Sequence, residues 1–390
     1  MRGDANMHET IKSDQTAPLT LLKRVEAWLF IALIALSAVI GGLYAPRAVQ
    51  VEEQIYDGWI PWRTALQDRL TEVLPHREFA KATLGRFQVE VLGQGREGVL
   101  IGAEGVLYTN QDLPVFRKEA LAQEGQTLAF LVEAAGKVEA AGGQVVFLLL
   151  PDKRRVLPET FPHRVPAWLT TRYQRLLTQM QADGLEVVAA LGRLQALGRD
   201  AFMRADTHWT LAGADASAQL LADHIRAFHP QFADSVPYVR DDEDLDVLLW
   251  EGDMRSFIPL PDAQLERAYP REEIAQPFVF PDSDDVSRAN LVVMGTSYTG
   301  FQKGTVVDPW MFSDLLRAAL GTDLSTCSDW GEDLEEPFNS YWSRVVQGDL
   351  PAPDLMIWEV PERFFGYQVP AEEVASSGSL FEKPTDVNCG

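Results

Sequence analysis

The stretch 27–45, AWLFIALIALSAVIGGLYA, contains no charged residue and has the length needed to cross the hydrocarbon core of a bilayer. It predicts one N-terminal transmembrane helix. Lys23 and Arg24 stand just before it, so the positive-inside bias keeps residues 1–26 cytoplasmic and sends the rest of the chain across. The run is longer than the apolar core of a cleaved signal peptide, which favours an uncleaved signal anchor, although SAVIGGLYA does offer small residues for cleavage. A buried core helix fits less well. The run has no polar stripe, and Gly41, Gly42 and Pro46 follow it.

Beyond the anchor, residues 46–88 are charged and rich in helix formers, broken at Pro61 and Pro75, and read as a helical stalk. From residue 89 the pattern changes: VEVLGQGREGVLIGAEGVLYT mixes β-branched residues with close glycines, which suggests short strands and turns. A helix over 121–141 then ends at Gly142 and Gly143, and the apolar run from Val145 to Leu150 follows as a buried strand. The same order returns with a helix over 166–182, Gly184, and LEVVAAL as a strand.

Two further strands are expected at Leu291 to Met294 and at Leu355 to Trp358. Between them Asp308-Pro309 opens a helix with Phe312, Leu315 and Ala319 on one face. This alternation predicts an α/β domain, a mainly parallel sheet flanked by helices, over 89–370, with a tail at 371–390. The acidic, proline-bearing stretch 239–285 shows no period and reads as an insertion or long loop.

The formal net charge of -23 repels a phosphate backbone, so nucleic acid is not an expected partner. A neutral polymer, or a polyanion met in a local basic groove, suits such a surface better. The two cysteines, Cys327 and Cys389, reach an oxidising compartment under this topology and are expected to staple the tail to the domain; two free thiols are the alternative.

Two motifs carry chemistry. In NLVVMGTSYTG an apolar strand runs into Gly295, Thr296 and Ser297, which exposes a serine at a strand tip beside turn amides able to stabilise an oxyanion. It is not a G-x-S-x-G elbow. The second motif, Asp206-Thr207-His208-Trp209-Thr210, precedes an amphipathic helix with Leu211, Ala214, Ala218, Leu221, Ile225 and Phe228 along one face. Thr210 is its N-cap.

Residues two apart in an extended segment face the same side, so Asp206 and His208 share one cleft. Together they supply the base and the orienting acid that a serine nucleophile needs. The other histidines, His8, His76, His163, His224 and His229, read as surface or structural. A metal reading of Asp206 and His208 lacks further ligands at suitable spacing, so no metal and no cofactor is expected.

Taken together these residues resemble the alginate O-acetyltransferase family of AlgJ/AlgX type, periplasmic proteins with an SGNH-hydrolase-like domain. The ordered landmarks are GAEGVLY (102–108), LLPDKRRVLPE (149–159), DTHWTLAGA (206–214), GDM (252–254), GTSYT (295–299) and IWEVPERFF (357–365). The resemblance implies Ser297 as nucleophile, His208 as base and Asp206 as orienting acid. Asp and His precede Ser, so the SGNH-like domain looks circularly rearranged.

It also implies an acetyl-serine whose acetyl passes to a hydroxyl of an exopolysaccharide, alginate or another. The donor would come from a membrane acyltransferase of the MBOAT class, alongside other exopolysaccharide synthesis proteins. Thr296, Tyr298, Trp209 and Arg363 are expected to bind substrate, and Asn339 or Gly331 to assist the Ser297 amide at the oxyanion. Lys153 and Glu159 read as fold-defining turn residues.

Val106 and Leu157 stand where the family often has aromatic residues, and little sequence follows Phe365, so an AlgJ-like anchored form without a carbohydrate-binding module fits better. The expected location is the inner membrane, single-pass, with the catalytic domain in the periplasm. A carbohydrate acetyl esterase with the same triad and a non-catalytic scaffold of a synthesis complex are the competing readings.

Overall fold

The structure, a computed structural model, describes residues 77–365 except 97, 114–116, 283–289, 301, 304–305, 308–311 and 329–333, together with 388–389. The predicted anchor at 27–45 and the stalk as far as 76 lie outside the described residues. Among the described ones no helix is long and apolar enough to cross a membrane. The chain divides into two units, Met1–Leu84 and Gly85–Gly390. The first is described only in the opening turns of a helix, Arg77–Glu90.

In the second unit the apolar run after the Gly142-Gly143 turn forms β1, Gln144–Leu150, and LEVVAAL supplies β2, Glu186–Ala189. Two longer strands follow, β3 (Tyr238–Trp250) and β4 (Glu272–Pro281). Then come β5 (Leu291–Gly295), β6 (Ser325–Ser328), β7 (Leu355–Pro361) and β8 (Asn388–Cys389). The main sheet has the order β8-β6-β5-β7-β1-β2. All its neighbours are parallel except β8, which runs antiparallel to β6 at one edge.

Helices cover both faces: α1 (Arg117–Ala140), α2 (Arg172–Ala182), α3 (Leu211–Phe228), α4 (Phe312–Leu320) and α5 (Glu335–Gln347). Alternate residues of β1 serve opposite cores. Val146, Leu148 and Leu150 pack with Ala214, Ala218, Leu221 and Ile225 of α3 and with Phe312 and Leu315 of α4. Val145, Phe147 and Leu149 pack with Leu131 of α1, Tyr173 and Leu176 of α2 and Phe338 of α5. A strand buried on both sides has no polar alternation to show, which is why β1 reads as an unbroken apolar run. Trp358 of β7 stacks between Phe147 at 5.7 Å and Phe338 at 5.3 Å.

Of the two readings of 239–285, an insertion or a long loop, the loop fails: over 238–281 β3 and β4 form a long antiparallel ribbon, with a short helix, Asp262–Ala268, in the connection. The acidic run 241–246 interrupts the pattern, and the apolar residues Val239, Val247, Leu249, Phe278 and Phe280 are exposed. A half-buried strand is recognised by apolar residues on its inner face, and here they stand outside.

Candidate active site

Gly295 ends β5, and Thr296 and Ser297 follow at once. A Cβ at Gly295 would lie 2.2 Å from Thr299 Oγ1 and 2.6 Å from Glu359 Oε2, so only glycine lets the strand turn here. Glu359, on the neighbouring β7, is fully buried. Its Oε2 accepts from the Thr296 amide (2.8 Å), the Thr296 hydroxyl (2.9 Å) and the Thr299 hydroxyl (3.1 Å). The Thr299 amide donates to Thr296 O at 2.9 Å and closes the turn. Burial pushes the Glu359 carboxyl up to about 7 against the pull of those hydrogen bonds, so the group titrates near neutral pH.

Asp206 and His208 occupy the loop that runs into α3. Thr210 caps that helix, its hydroxyl accepting from the Gly213 amide at 3.1 Å, as expected. His208 Nε2 lies 2.7 Å from Ser297 Oγ, and His208 Nδ1 lies 2.6 Å from Asp206 Oδ1. With Nδ1 donating to the carboxylate, Nε2 is left to accept from the serine hydroxyl. Asp206 Oδ1 also accepts from the His208 amide at 2.8 Å. Its Oδ2 accepts from Trp250 Nε1 at 2.7 Å and from the Asp253 amide at 2.8 Å. Burial opposes the Asp206 charge, but the imidazole beside it and these donors outweigh burial and hold the carboxyl well below the usual range.

The loop is clamped by Lys153, which is buried and whose ammonium shares its three N–H donors among four carbonyls: Leu107 (2.9 Å), Met203 (2.5 Å), Arg204 (3.1 Å) and Asp206 (3.0 Å). Burial pulls its ammonium down to about 8. Lys153, expected as a fold-defining turn residue, thus pairs with backbone; Glu159 is exposed. Glu272 accepts from the Arg204 and Ala205 amides (2.9 and 3.0 Å). The Tyr298 hydroxyl donates to Thr207 O at 2.6 Å and ties the serine turn to the Asp-His loop.

Of the four residues expected to bind substrate, Tyr298 and Arg363 line a small cavity with Asp112, Lys153, Thr207 and Met254, the guanidinium lying 5.2 Å from the Tyr298 ring centre. Thr296 and Trp209 do not reach the surface. Both are 0% exposed: Thr296 is spent on Glu359, and the Trp209 ring packs 5.0 Å from Phe312 in the core. Gly331 lies outside the described residues, and Asn339 is exposed on α5. Cys327 is disulfide-bonded, and Cys389, the other cysteine of the chain, stands opposite it in the register of β6 with β8.

Trp250 and Asp253, which hold the second oxygen of Asp206, were absent from the expected site. Both lie in or just after β3, within the stretch taken for a loop; the GDM landmark was the one signal pointing there. Asp253 also accepts from the Thr207 amide at 2.8 Å and from its hydroxyl, and burial beside Asp206 raises its carboxyl. Asp206, His208 and Asp253 place ligand atoms within 4.8 Å of one another. A cation there would have to displace the N–H donors that already occupy both Asp206 oxygens.

A parallel sheet sandwiched by helices, with a serine at a strand end facing an Asp-x-His loop, defines an SGNH-hydrolase-like α/β protein. The chain belongs to the family described as SGNH hydrolase-like domain, acetyltransferase AlgX, whose model matches residues 99–362. Over 315 residues it is 28% identical to a Pseudomonas fluorescens protein named probable alginate O-acetylase AlgJ, covering 78% of this chain and 77% of that one. A Pseudomonas aeruginosa protein of the same name is 30% identical over 295 residues, covering 70% and 71%. Among solved structures, the O-acetyltransferase domain of Pseudomonas putida AlgJ superposes with a TM-score of 0.61 at 22% identity, covering 70% of this chain and 95% of that domain; this likeness is one of fold.

Proposed function

We propose that this chain is a polysaccharide O-acetyltransferase that works through an acetyl-serine on Ser297. The observation that carries the proposal is the continuous hydrogen-bonded chain from Asp206 through His208 to Ser297, at 2.6 and 2.7 Å. In the first half, Ser297 Oγ attacks the acetyl carbonyl of the donor while His208 Nε2 takes the hydroxyl proton. The tetrahedral intermediate collapses, the donor's leaving group departs with that proton, and the acetyl remains on Ser297.

In the second half, His208 takes the proton of a sugar hydroxyl, whose oxygen attacks the acyl-serine. Collapse of the second intermediate returns the proton to Ser297 and frees the acetylated polymer. Asp206 keeps the imidazole in the required tautomer and stabilises the imidazolium. The Ser297 amide, in the turn beside the nucleophile, is the oxyanion donor of this reading.

The relatives' name makes an alginate-like polymer the acceptor class of this proposal. The donor is a membrane acyltransferase of the MBOAT class, within an exopolysaccharide synthesis complex. The uncharged run 27–45 supports a single-pass inner-membrane anchor with the catalytic domain in the periplasm, and a disulfide at Cys327 supports the same oxidising side. The chain order Asp, His, Ser supports a circularly rearranged SGNH domain.

The test is to incubate the full chain with an activated acetyl ester and examine the Ser297 peptide by mass spectrometry. An acetyl adduct on Ser297 that transfers to added oligosaccharide is expected; release only to water would mark an esterase, and no adduct with no ester turnover would leave a scaffold. Ser297→Ala and His208→Ala are each expected to lower turnover by about three orders of magnitude or more, because triad members act as a unit. A variant keeping a tenth of the activity removes that residue from the mechanism.

A further inference from the structure

Away from the serine, three side chains from three places converge on one point. Glu186 opens β2, the edge strand of the sheet; His224 lies on α3, one turn before its end; His229 is the residue just past the helix. The Nε2 atoms of both rings lie against the same carboxylate oxygen, Glu186 Oε1, at 2.6 Å for His224 and 2.8 Å for His229. One potential ligand atom from each residue lies within 4.8 Å of the other two. Helix α3 rises about 27 Å over its 18 residues, so this cluster sits at the opposite end of the helix from the Asp206–His208 loop.

We propose that Glu186, His224 and His229 bind one zinc-class divalent cation, which clamps the C-terminal end of α3 to the edge strand β2. The donor set decides the class of ion. Two imidazoles and one carboxylate suit zinc, cobalt or nickel, whereas magnesium and calcium require oxygen ligands throughout. Zinc bonds of about 2.0–2.2 Å at tetrahedral angles separate neighbouring ligand atoms by about 3.3 Å. From 2.6 and 2.8 Å, the carboxylate oxygen need retreat from the two rings by only about 0.5–0.7 Å. The side chains allow it: 37% of Glu186 and 22% of His224 face solvent, against 11% of His229. The same exposure leaves a fourth position open to water.

Two features of the surroundings favour a cation here. The end of α3 presents its last carbonyls and the negative pole of the helix dipole. The chain as a whole carries a net charge of -23, which concentrates cations at its surface. On the other side of the balance, the helix and strand already pack through apolar residues, so the ion adds a fastening to a helix that stands without it. Because α3 begins at the Thr210 cap, that fastening steadies the element on which the Asp-His loop rests.

The experiment strips the full chain with a chelator and titrates it with zinc, cobalt and magnesium chlorides. One zinc per chain is expected by calorimetry, with a rise in unfolding temperature of about 5 °C at a hundredfold excess over Kd and no rise with magnesium. Cobalt in the unaltered chain is expected to give the intense visible absorption of a four-coordinate nitrogen and oxygen site, displaced by zinc; this readout needs no substitution. The double substitution His224→Ala, His229→Ala is expected to weaken zinc binding at least a hundredfold, and Glu186→Gln about tenfold or more. No stoichiometric binding, an octahedral cobalt spectrum, or affinity unchanged in the double variant overturns the proposal, the last by moving the ion to Asp206, His208 and Asp253.

Discussion

Glu359 shows at the scale of one residue how the site is held. A fully buried carboxyl accepts three hydrogen bonds from the turn that carries Ser297, yet burial raises it so far that it still holds its proton in weakly acidic solution and titrates near neutral pH. In its protonated form it holds the turn without setting a negative charge beside the place where the proposed reaction would develop an oxyanion. The consequence for stability has a definite sign. With the folded pKa raised from 4.5 to about 7, the folded chain keeps a proton that the unfolded chain has released, so stability falls as pH rises through that window. The shift corresponds to about 3 kcal/mol. Glu359→Gln accepts the same bonds and does not ionise. Between pH 5 and pH 7.5 it is expected to lose less stability than the native chain, by up to that amount. Asp112 and Asp253 are raised by burial too, so the comparison is between the two slopes. Equal slopes in chemical unfolding would show that Glu359 is ionised throughout.

At the scale of elements, the site is a meeting of three: the turn after β5, the loop before α3, and the end of β3. The first two were legible because each has a local signature. An apolar run ending in Gly-Thr-Ser marks a buried strand and its turn, and a capped amphipathic helix fixes where the Asp-His loop stops. The third was not. Residues 241–246 are almost all acidic, so hydrophobic periodicity carries no message, and the pairing of β3 with β4 across more than twenty residues cannot be read from either strand alone. Trp250 therefore went unnoticed, though its indole reaches Asp206 Oδ2 at 2.7 Å. Trp250→Phe keeps an aromatic ring, though a smaller one, and removes that donor. A hydrogen bond to a charged group contributes about 1.5–3 kcal/mol, so transfer is expected to slow about tenfold or more, with KM little changed. The turn itself tolerates less: Gly295→Ala forces a Cβ against Thr299 and Glu359, and unfolding experiments are expected to show a loss of about 1–3 kcal/mol together with lost activity.

At the scale of the whole molecule, the parallel order of the sheet follows from strands that alternate with helices, but its closing strand does not. β8 consists of Asn388 and Cys389, too short for any pattern to announce, and it joins the sheet through Cys389 standing opposite Cys327. Cysteine count and an oxidising compartment were the only signals that the tail returns to the domain. A Cys327–Cys389 bridge closes a loop of about sixty residues, and in the chain-entropy account such a cross-link stabilises by at most about 4 kcal/mol. Cys327 is 1% exposed at the centre of β6, so its serine variant would also bury a hydroxyl; Cys389→Ser leaves that core residue in place and isolates the bridge. The variant is expected to unfold at a temperature several degrees lower than the native chain, and reduction of the native chain is expected to bring it down to the same value. Because β6 neighbours β5, the strand that ends at Gly295, loosening this edge is expected to reach the serine turn, so that acetyl transfer falls at temperatures where the rest of the fold persists. A reduced chain with unaltered unfolding temperature and unaltered transfer would show that β8 rests on the sheet without securing it.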